Sequence, residues 1–402
     1  MKTYSYISLF SGCGGVDVGF EQNDFNCLSA FDNNPYAINV FNNNLKGRAH
    51  NQNLSDEQFL KGLTFTPDVV IAGSPCQGFS TIGKRQLDDP RNELLLTGGK
   101  LAIKLKAKVF ICENVLGSLA GEHRKYWNDL KKLLHEAGYK TKMEIYDTLK
   151  LGMCQHRKRV ILFAWRSSKL SDFDSNIPAL LPVTLGATIK IKNQKKVLNH
   201  NLDYIDRKSD DFKIAQTIKP GQKLCNVRGG VRAVHTWHIP EVFGVITDDE
   251  EIFLCELISL RRKIRQRDNG DADPLDIKLL TKYFGFDLSS VINALLKKGY
   301  LIKKDANHID IKHTFNGKFK RLRLDGYSPT VDTRFGIYKY FLHPTENRGF
   351  SVREAARIQG FEDSFVFEGP LNKQYEMIGN AVPPPLSSAI ARIVKTKLLP
   401  KL

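Results

Sequence analysis

One cysteine of the chain has surroundings suited to nucleophilic chemistry. Cys76 lies in the segment 73–80, GSPCQGFS, directly after the run 67–72, PDVVIA. That apolar run predicts a buried parallel strand, and open α/β sheets bind ligands at the carboxyl ends of such strands. Pro75 restricts the backbone before the thiol, and the flanking glycines allow close approach of a substrate. The alternative is that Cys76 is an ordinary buried thiol. The residues farther along the chain make that interpretation the weaker one.

A carboxylate follows the next predicted buried strand. The run 108–112, KVFIC, predicts that strand, and Glu113 and Asn114 stand at its carboxyl end. Neighbouring parallel strands end at the same edge of a sheet, so Glu113 is expected close to Cys76. A carboxyl group and a thiol in that position form an acid and nucleophile pair. Helix capping by Glu113 and Asn114 is the alternative, and the pair considered together favours catalysis.

Two arginines precede a strongly apolar strand predicted over 160–165. In the segment 155–159, QHRKR, alternation along an extended chain places Gln155, Arg157 and Arg159 on one face. Two guanidinium groups on one face are suited to binding a phosphate or a base carbonyl. A solvated basic edge is the alternative interpretation.

A glycine-rich turn near the start of the chain predicts a nucleotide-like ligand. The predicted strand 4–10 leads through 11–15, SGCGG, into a helix that begins near Val16. Such a turn brings backbone amides close to a ligand. Asp32 follows the second predicted strand, 18 residues beyond Gly14, near the spacing at which an acid binds ribose hydroxyls. Capping of the helix at Pro35 by Asp32 is an alternative that does not exclude ribose binding.

These candidates depend on strands and helices that alternate up to about residue 186, which predicts an α/β fold with a parallel sheet. The polar segment 81–92, TIGKRQLDDPRN, is predicted to be a mobile lid. From Pro178 to about Tyr340 the alternation is lost, and short β-like runs, glycines and basic residues dominate. A second domain of different architecture is therefore expected in the middle of the chain.

Composition limits the functional class. The chain has 402 residues, 42% of them hydrophobic, and a net charge of +17, which suggests a polyanionic partner. Residues 187–323 hold 27 Lys and Arg against 17 Asp and Glu, so the middle is the expected nucleic-acid surface. The N-terminus lacks a signal-peptide pattern, no uncharged run has transmembrane length, and the seven cysteines form no CxxC pair. We therefore expect a cytoplasmic protein with no membrane association and no structural metal.

The middle region contains one helical stretch, which we call the helical island, residues 250–315. Helices are predicted over 250–267, 276–284 and 288–298, followed by a hairpin-like pair of strands, 300–304 and 308–313. Helix, helix and β-wing is the order of a winged helix, a DNA-binding form. The alternative is a structural insertion that packs against its neighbours.

Six segments, in order, resemble the motifs of the DNA (cytosine-5) methyltransferases. The segment 10–15 (FSGCGG) resembles that family's cofactor loop, 75–77 (PCQ) resembles its nucleophile motif, and 113–115 (ENV) resembles its acid motif. The segment 155–159 (QHRKR) resembles its Gln-x-Arg-x-Arg motif. The segment 353–361 (REAARIQGF) resembles the motif that frames the recognition domain, and 379–383 (GNAVP) resembles the closing motif. The resemblance extends from end to end apart from the middle of the chain. No single motif is decisive, but six in family order exclude coincidence.

The resemblance implies a Rossmann-like S-adenosylmethionine-dependent methyltransferase domain, residues 1–186 and 371–402. It also implies a smaller, mostly β target-recognition domain, residues 187–370. The implied reaction transfers a methyl group from S-adenosyl-L-methionine to C5 of a cytosine flipped out of double-stranded DNA. Cys76 would add to C6, Glu113 would donate a hydrogen bond or proton at N3, Arg157 would hold the O2 edge or a phosphate, and Arg159 would support the site.

The resemblance also assigns binding residues. The cofactor residues it implies are Phe10, Gly12, Gly14, Asp32, Asn53, Pro75, Leu94, Asn380 and Ala381. Asn53 stands where the family usually has an aspartate that contacts adenine. The residues expected to contact DNA are Ser80, Arg91, Gln155, Arg228, Lys297 and Lys298.

Two other functions remain open at this point. An RNA (tRNA) cytosine-5 methyltransferase would use the same motifs, although the long basic middle favours duplex DNA. An inactive DNA-binding homologue would have no chemical reason to keep Cys76, Glu113 and Arg157 together. We expect a monomeric bacterial or phage modification enzyme, with a cognate restriction endonuclease as a partner acting on the same site.

Overall fold

The computed structural model describes residues 3–56, 59, 62–75, 93–191, 197–266 and 272–402. The chain divides into two compact units. The first contains Met1–Asn201, Asp325–Arg334 and Val352–Leu402, and the second contains Leu202–Leu324 and Phe335–Ser351. These bounds differ from the predicted domain limits of 186 and 371. Within the described ranges, no helix has the length and apolar character needed to cross a membrane.

The elements are numbered in chain order. The strands are β1 Tyr4–Leu9, β2 Phe25–Asp32, β3 Ala49–Asn51, β4 Val69–Gly73, β5 Val109–Val115, β6 Lys140–Asp147, β7 Lys158–Trp165, β8 Lys223–Cys225, β9 Ala233–Val234, β10 Leu275–Asp276, β11 Leu301–Lys303, β12 His308–Ile311, β13 Asn316–Lys318, β14 Lys320–Arg321 and β15 Phe341–Leu342. The α-helices are α1 Gly15–Glu21, α2 Pro35–Asn44, α3 Leu94–Lys104, α4 Arg124–Glu136, α5 Leu185–Ile189, α6 Asp210–Thr217, α7 Pro240–Phe243, α8 Asp248–Lys263, α9 Ile277–Phe284, α10 Ser289–Lys297, α11 Val352–Gln359, α12 Leu371–Asn380 and α13 Pro384–Ile393.

The first unit is built on a seven-stranded sheet with the order β3-β2-β1-β4-β5-β7-β6. Strands β3, β2, β1, β4 and β5 are parallel, whereas β7 is antiparallel to both β5 and β6. The strands read as continuous apolar runs because helices cover both faces. The predicted α/β fold is therefore confirmed, but its large central sheet is mixed and not wholly parallel as predicted.

Side-chain alternation divides the core of this unit into two layers. On one face, Ile71 and Ile161 belong to the cluster that contains Leu386 and Ile390 of α13. On the other face, Val70 belongs to the cluster that contains residues of α3 and α4. A Cβ on Gly19 of α1 would lie 2.2 Å from backbone and side-chain atoms of Ser387 and Ser388, so only glycine allows α1 and α13 to approach this closely. This contact joins the two ends of the chain beside the glycine-rich turn.

The closing helix begins earlier than the sequence pattern suggests. The pattern predicts a helix over 387–397, but α13 begins at Pro384 and continues as a π-helical turn, Val394–Leu398. Proline is compatible with the first turn of a helix, where its missing N–H would have no intrahelical acceptor. The run of three prolines therefore starts this helix and does not delay it.

The second unit contains helices α6 to α10 and three small sheets. Their strand orders are β10-β12-β11, β13-β8-β9 and β14-β15. The prediction of a mostly β domain is wrong for this unit, because more of its described residues lie in helices than in strands. Several of the glycines in this region have positive φ and lie in turns and irregular loops.

One buried arginine organises the irregular part of the second unit. The Arg321 guanidinium donates hydrogen bonds to the backbone carbonyls of Ala215, Ile218, His343 and Glu346 at 2.7–2.9 Å, and to the side-chain oxygen of Asn347. Segments that lack regular structure leave carbonyl groups without ladder partners. Arg321 satisfies four backbone carbonyls and one side-chain oxygen, which helps short strands and loops to form a stable unit.

Candidate active site

A cavity of about 520 Å³ opens in the first unit at the carboxyl ends of β1, β2, β4 and β5, the edge where open α/β sheets bind ligands. Glu113 and Arg159 line this cavity. So do eight of the nine predicted cofactor residues: Phe10, Gly12, Asp32, Asn53, Pro75, Leu94, Asn380 and Ala381. The ninth, Gly14, is the N-cap of α1. The fold therefore gathers residues from both ends of the chain around one space.

The turn after β1 adopts a backbone conformation that favours glycine. Gly12 and Gly14 have φ of 55° and 90°, and Phe10 has φ of 56°, a value that is uncommon for a bulky residue. The Gly12 amide donates a 2.8 Å hydrogen bond to an Asp32 carboxylate oxygen. The left-handed residues thus turn the chain so that its amides point toward the end of β2.

Asp32 belongs to the cavity and does not cap α2. Its other carboxylate oxygen accepts a 2.8 Å hydrogen bond from the Asn34 amide, and the side chain of Asn34 is the N-cap of α2. The alternative that Asp32 caps the helix at Pro35 is therefore wrong. Burial raises the pKa of Asp32, and the backbone amides of Asn34, Gly12 and Asn33 oppose that rise. Asp32 is a fixed acceptor at the cavity wall.

Glu113 lies beside the strand end that leads to Cys76. In the parallel register of β4 and β5, Gly73 pairs with Glu113, and Asn114 donates a 3.3 Å hydrogen bond to the Ser74 carbonyl. The Glu113 side chain forms a 2.7 Å ion pair with the Nε atom of Arg159. Burial raises the pKa of Glu113 above its ordinary range, while the charges of Arg159 and Arg157 oppose the rise. A buried carboxyl with a raised pKa is suited to general acid chemistry.

The two arginines have positions opposite to those expected. Arg159 lines the cavity and contacts Glu113, whereas Arg157 is buried away from the cavity lining. The Arg157 guanidinium donates to the carbonyl oxygens of Val331, Gly379 and Ala381 at 2.9–3.0 Å. The predicted alternation holds, because Gln155, Arg157 and Arg159 are buried while His156 and Lys158 are exposed, although β7 itself begins only at Lys158. Arg157 holds backbone next to the cavity.

Gln155 is also buried, which contradicts its assignment as a DNA contact. Its amide nitrogen donates to the Ile358 carbonyl and the Gln359 side chain, and its oxygen accepts from the Val331 amide at 2.8 Å. Gln359 in turn donates a 2.6 Å hydrogen bond to the Ala381 carbonyl. Sequence reasoning missed Gln359, although its place inside the REAARIQGF segment could have marked it. Gln155, Arg157 and Gln359 form one buried polar network, which we call the carbonyl clamp.

Several predicted residues lie elsewhere. Cys76, Ser80 and Arg91, with the predicted lid 81–92, lie outside the described residues. Arg228, Lys297 and Lys298 belong to the second unit and are exposed. The Lys298 ammonium forms a 2.6 Å ion pair with Glu250, whose side chain is buried. Of the predicted DNA-contacting residues that the structure describes, Gln155, Arg228, Lys297 and Lys298, none lines the cavity of the first unit.

Comparisons with known proteins agree with this arrangement. A family model described as C-5 cytosine-specific DNA methylase matches residues 4–396. The chain is 27% identical to the Type II methyltransferase M.DdeI of Desulfomicrobium norvegicum over 410 residues, which cover 96% of this chain and 87% of that protein. It is also 27% identical to the Type II methyltransferase M.AgeI of Thalassovita gelatinovora over 445 residues, with coverage of 99% and 100%.

A solved structure supports the fold. A prophage-encoded protein of E. coli is similar with a TM-score of 0.61 and 22% identity, and the alignment covers 99% of this chain and 100% of that chain. At this identity the likeness concerns the fold alone. Because the family model spans nearly the whole sequence, the chain belongs to the C-5 cytosine-specific DNA methylase family and is a DNA (cytosine-5-)-methyltransferase.

Proposed function

We propose that the enzyme transfers a methyl group from S-adenosyl-L-methionine to C5 of a flipped-out cytosine in a specific double-stranded DNA sequence, through a covalent adduct of Cys76 with C6. The observation that carries this proposal is the strand register that pairs Gly73 with Glu113. In that register Glu113 lies opposite Gly73, and Cys76 follows Gly73 by three residues in the sequence, which supports a site that contains both side chains. Pro75, which precedes Cys76, lines the same cavity.

The cavity fits the proposed cofactor. Its volume of about 520 Å³ lies within the range of roughly 300–1,000 Å³ usual for ligand pockets. Asp32 supplies a carboxylate held by two backbone amides, which is suited to ribose hydroxyls. Asn380 and Ala381 would form the opposite wall. When bound, S-adenosylmethionine supplies an electrophilic methyl group on a sulfonium centre.

The chain's own residues would perform the remaining chemistry. Cytosine C5 is a weak nucleophile, so the Cys76 thiolate would first form a bond to C6 and break the C5–C6 double bond. Negative charge then develops toward N3, where a protonated Glu113 can donate. Arg159, 2.7 Å from Glu113, would orient that carboxyl and contact the base. After C5 gains the methyl group, loss of its proton and of the C6–S bond restores the ring and releases Cys76.

The base must leave the duplex for this chemistry. Its C6 and N3 atoms are inaccessible to a thiol and a carboxyl while the base is stacked and paired, so the target cytosine would be flipped into the cavity. We assign the segment 81–92, with Ser80 and Arg91, to closing over that base. Arg157 has no direct contact with the base in this scheme, because the carbonyl clamp occupies its guanidinium.

We propose that the second unit is the target-recognition domain. The helical island has the order helix, strand, helix, helix, strand, strand, with the sheet order β10-β12-β11. This order supports a winged-helix fold for the island. The basic middle region and the Type II methyltransferase names of the relatives favour duplex DNA over tRNA as the substrate. We also propose that the protein is a cytoplasmic monomer. A restriction endonuclease would recognise the same DNA sequence.

The test uses labelled S-adenosylmethionine with duplex DNA and tRNA in parallel. Wild-type protein should label duplex DNA, and bisulfite sequencing should locate the label at C5 of cytosine in one sequence. Cys76→Ser should abolish turnover but retain cofactor binding, with Cys255→Ser, an exposed thiol in the second unit, as the control. DNA containing 5-fluorocytosine should trap wild type covalently, because fluorine cannot leave as a proton does. Label on tRNA alone, or turnover by Cys76→Ser, would refute the proposal.

A further inference from the structure

Positive charge in the second unit is concentrated outside the helical island. The island, residues 250–315, carries 12 Lys and Arg against 10 Asp and Glu. The segments 219–232 and 316–323 together carry eight Lys and Arg and no acidic residue. A surface that binds a polyanion is expected where positive charge is unbalanced. The charge distribution therefore points to these two segments and away from the island.

The fold brings these two segments together. The Lys223 amide donates to the Arg232 carbonyl at 3.0 Å, and the Arg321 amide donates to the Gln222 carbonyl at 3.0 Å. These backbone bonds place Lys223, Arg232 and Lys320 beside one another. We call these three residues the cation cluster. Within the described ranges no acidic side chain pairs with any of them.

The three charges of the cation cluster lie close enough to affect one another. Burial lowers the pKa of Lys320, and the positive charges of Lys223 and Arg232 lower it further. Like charges held together oppose folding unless an anion compensates them. Some other cations of this unit have acidic partners: Lys339 pairs with Asp211 at 2.8 Å, and Arg261 pairs with Asp310 at 2.8 Å. The cluster thus differs from these paired cations, because its three charges lie together without an acidic partner among the described residues.

The surface beside the cluster is open to a large ligand. The loop that joins β8 to β9 contains Arg228, Gly229 and Gly230, all of them exposed. A Cβ on either glycine would meet nothing within 4 Å. Glycines in open space allow another backbone to approach closely. Arg228 extends the positive surface along the same loop.

We infer that the cation cluster of Lys223, Arg232 and Lys320 binds the phosphate backbone of the DNA substrate. Phosphate contacts position a protein on a duplex and contribute equally for all sequences. The cluster would therefore set affinity and salt dependence, and base reading would come from other residues. This inference rests on the proposed function, since it requires a duplex DNA substrate.

The test measures binding of the full-length protein to a fluorescein-labelled duplex of mixed sequence across a series of salt concentrations. For Lys223→Ala/Lys320→Ala, the slope of log affinity against log salt should decrease by about 1.8, since each lost phosphate contact removes roughly 0.9. Arg232→Gln, at an exposed position, should lower the slope by about 0.9. Lys339→Ala removes the same charge from a paired lysine of the same unit and should leave the slope unchanged.

Two further measurements separate the outcomes. Thermal melts of each variant establish folding, and cofactor binding without DNA should remain at the wild-type level. If wild type methylates the duplex but neither cluster variant changes the slope, the inference is wrong and the proposed function stands. If wild type neither binds nor methylates duplex DNA, the proposed function fails and the inference fails with it.

Discussion

Two arginines of the first unit and two lysines of the second unit differ in whether the chain supplies them with a partner. In the first unit, Arg157 and Arg159 have partners supplied by the chain itself: three backbone carbonyls for Arg157 and the carboxyl of Glu113 for Arg159. In the second unit, Lys223 and Lys320 lie side by side with no acidic partner among the described residues. Both sets concentrate positive charge, but only one of them is neutralised internally.

This difference indicates two roles for positive charge: positioning residues around a site and binding an external anion. A guanidinium that donates to several fixed carbonyls loses freedom and holds those carbonyls in place, so it positions the residues around a catalytic site. A cluster without counter-charges stays available for an external anion. Arg157 and Arg159 are thus suited to placing the residues around the cavity, whereas Lys223 and Lys320 keep their charge for the DNA that we propose as their ligand.

The largest expected effect follows from breaking the Glu113–Arg159 pair. Glu113→Gln removes the proposed proton donor, and we expect methylation to slow by about 10²- to 10⁴-fold with cofactor binding retained. Because burial raises the pKa of Glu113, the wild-type rate should fall as pH rises through that raised pKa. Single-turnover rates across pH provide the measurement.

The matched control is Glu122→Gln, an exposed glutamate in the same unit, which should behave like wild type. A Glu113→Gln variant with an unchanged rate and pH profile would remove Glu113 from the chemistry. The ion pair between Glu113 and Arg159 would then have no role in catalysis.

The second prediction breaks the carbonyl clamp. Arg157→Met leaves the carbonyls of Val331, Gly379 and Ala381 without this donor, and each buried acceptor that loses its partner costs about 1–3 kcal/mol. We expect a lower free energy of unfolding in urea, together with weaker cofactor binding, because Asn380 and Ala381 line the cavity. Lys158→Met, an exposed neighbour in the same segment, is the control. Unchanged cofactor affinity in a folded Arg157→Met protein would show that the clamp does not position the cavity wall.

The third prediction concerns a buried carboxyl group of the first unit. Asp17 is fully buried, accepts a 3.2 Å hydrogen bond from Ser8, and burial raises its pKa from 3.8 to about 7. The folded state therefore binds more protons than the unfolded state between about pH 4 and 7, so this group's contribution to stability is lost as pH rises. That pKa difference corresponds to at most about 4 kcal/mol.

Asp17→Asn removes this dependence. Relative to wild type, the variant should gain stability as pH increases from 5 to 8, as measured by urea unfolding, because its side chain never ionises. Asp129→Asn, at an exposed position, should show no such trend. A constant difference between Asp17→Asn and wild type across this range would contradict the prediction.

The smallest effects come from two adjacent lysines of the helical island. Lys297 is exposed, whereas Lys298 pairs with the buried Glu250 carboxylate at 2.6 Å. If the cation cluster holds the DNA backbone, Lys297→Ala should leave the salt slope of DNA binding unchanged. Lys298→Ala should lower the melting temperature, since it leaves a buried carboxylate without its cation. A slope reduced by about 0.9 in Lys297→Ala would assign DNA contact to the island and break the comparison.

Local patterns predicted most strands of the first unit's sheet and most of its cavity, although they missed β3 and the antiparallel direction of β7. Apolar runs predicted β1, β4 and β5, and the carboxyl ends of parallel strands must share an edge. That rule alone predicts that Asp32 and Glu113 lie at the same edge of the sheet. The six family motifs then supplied Asn380 and Ala381, which no periodicity could have connected to the cavity.

The sequence by itself thus determined the fold class, the family and the residue types of the site, because strand periodicity and motif order are local properties of the chain. Only the tertiary structure decided what Arg157, Gln155 and Lys298 contact. Their partners, the Ala381 carbonyl, the Gln359 side chain and the Glu250 carboxylate, lie far away in the sequence. A charged or amide side chain has the same appearance in a sequence whether it meets solvent, a ligand or a distant carbonyl. Burial and partner geometry distinguish these cases, and both arise only when the whole chain has folded.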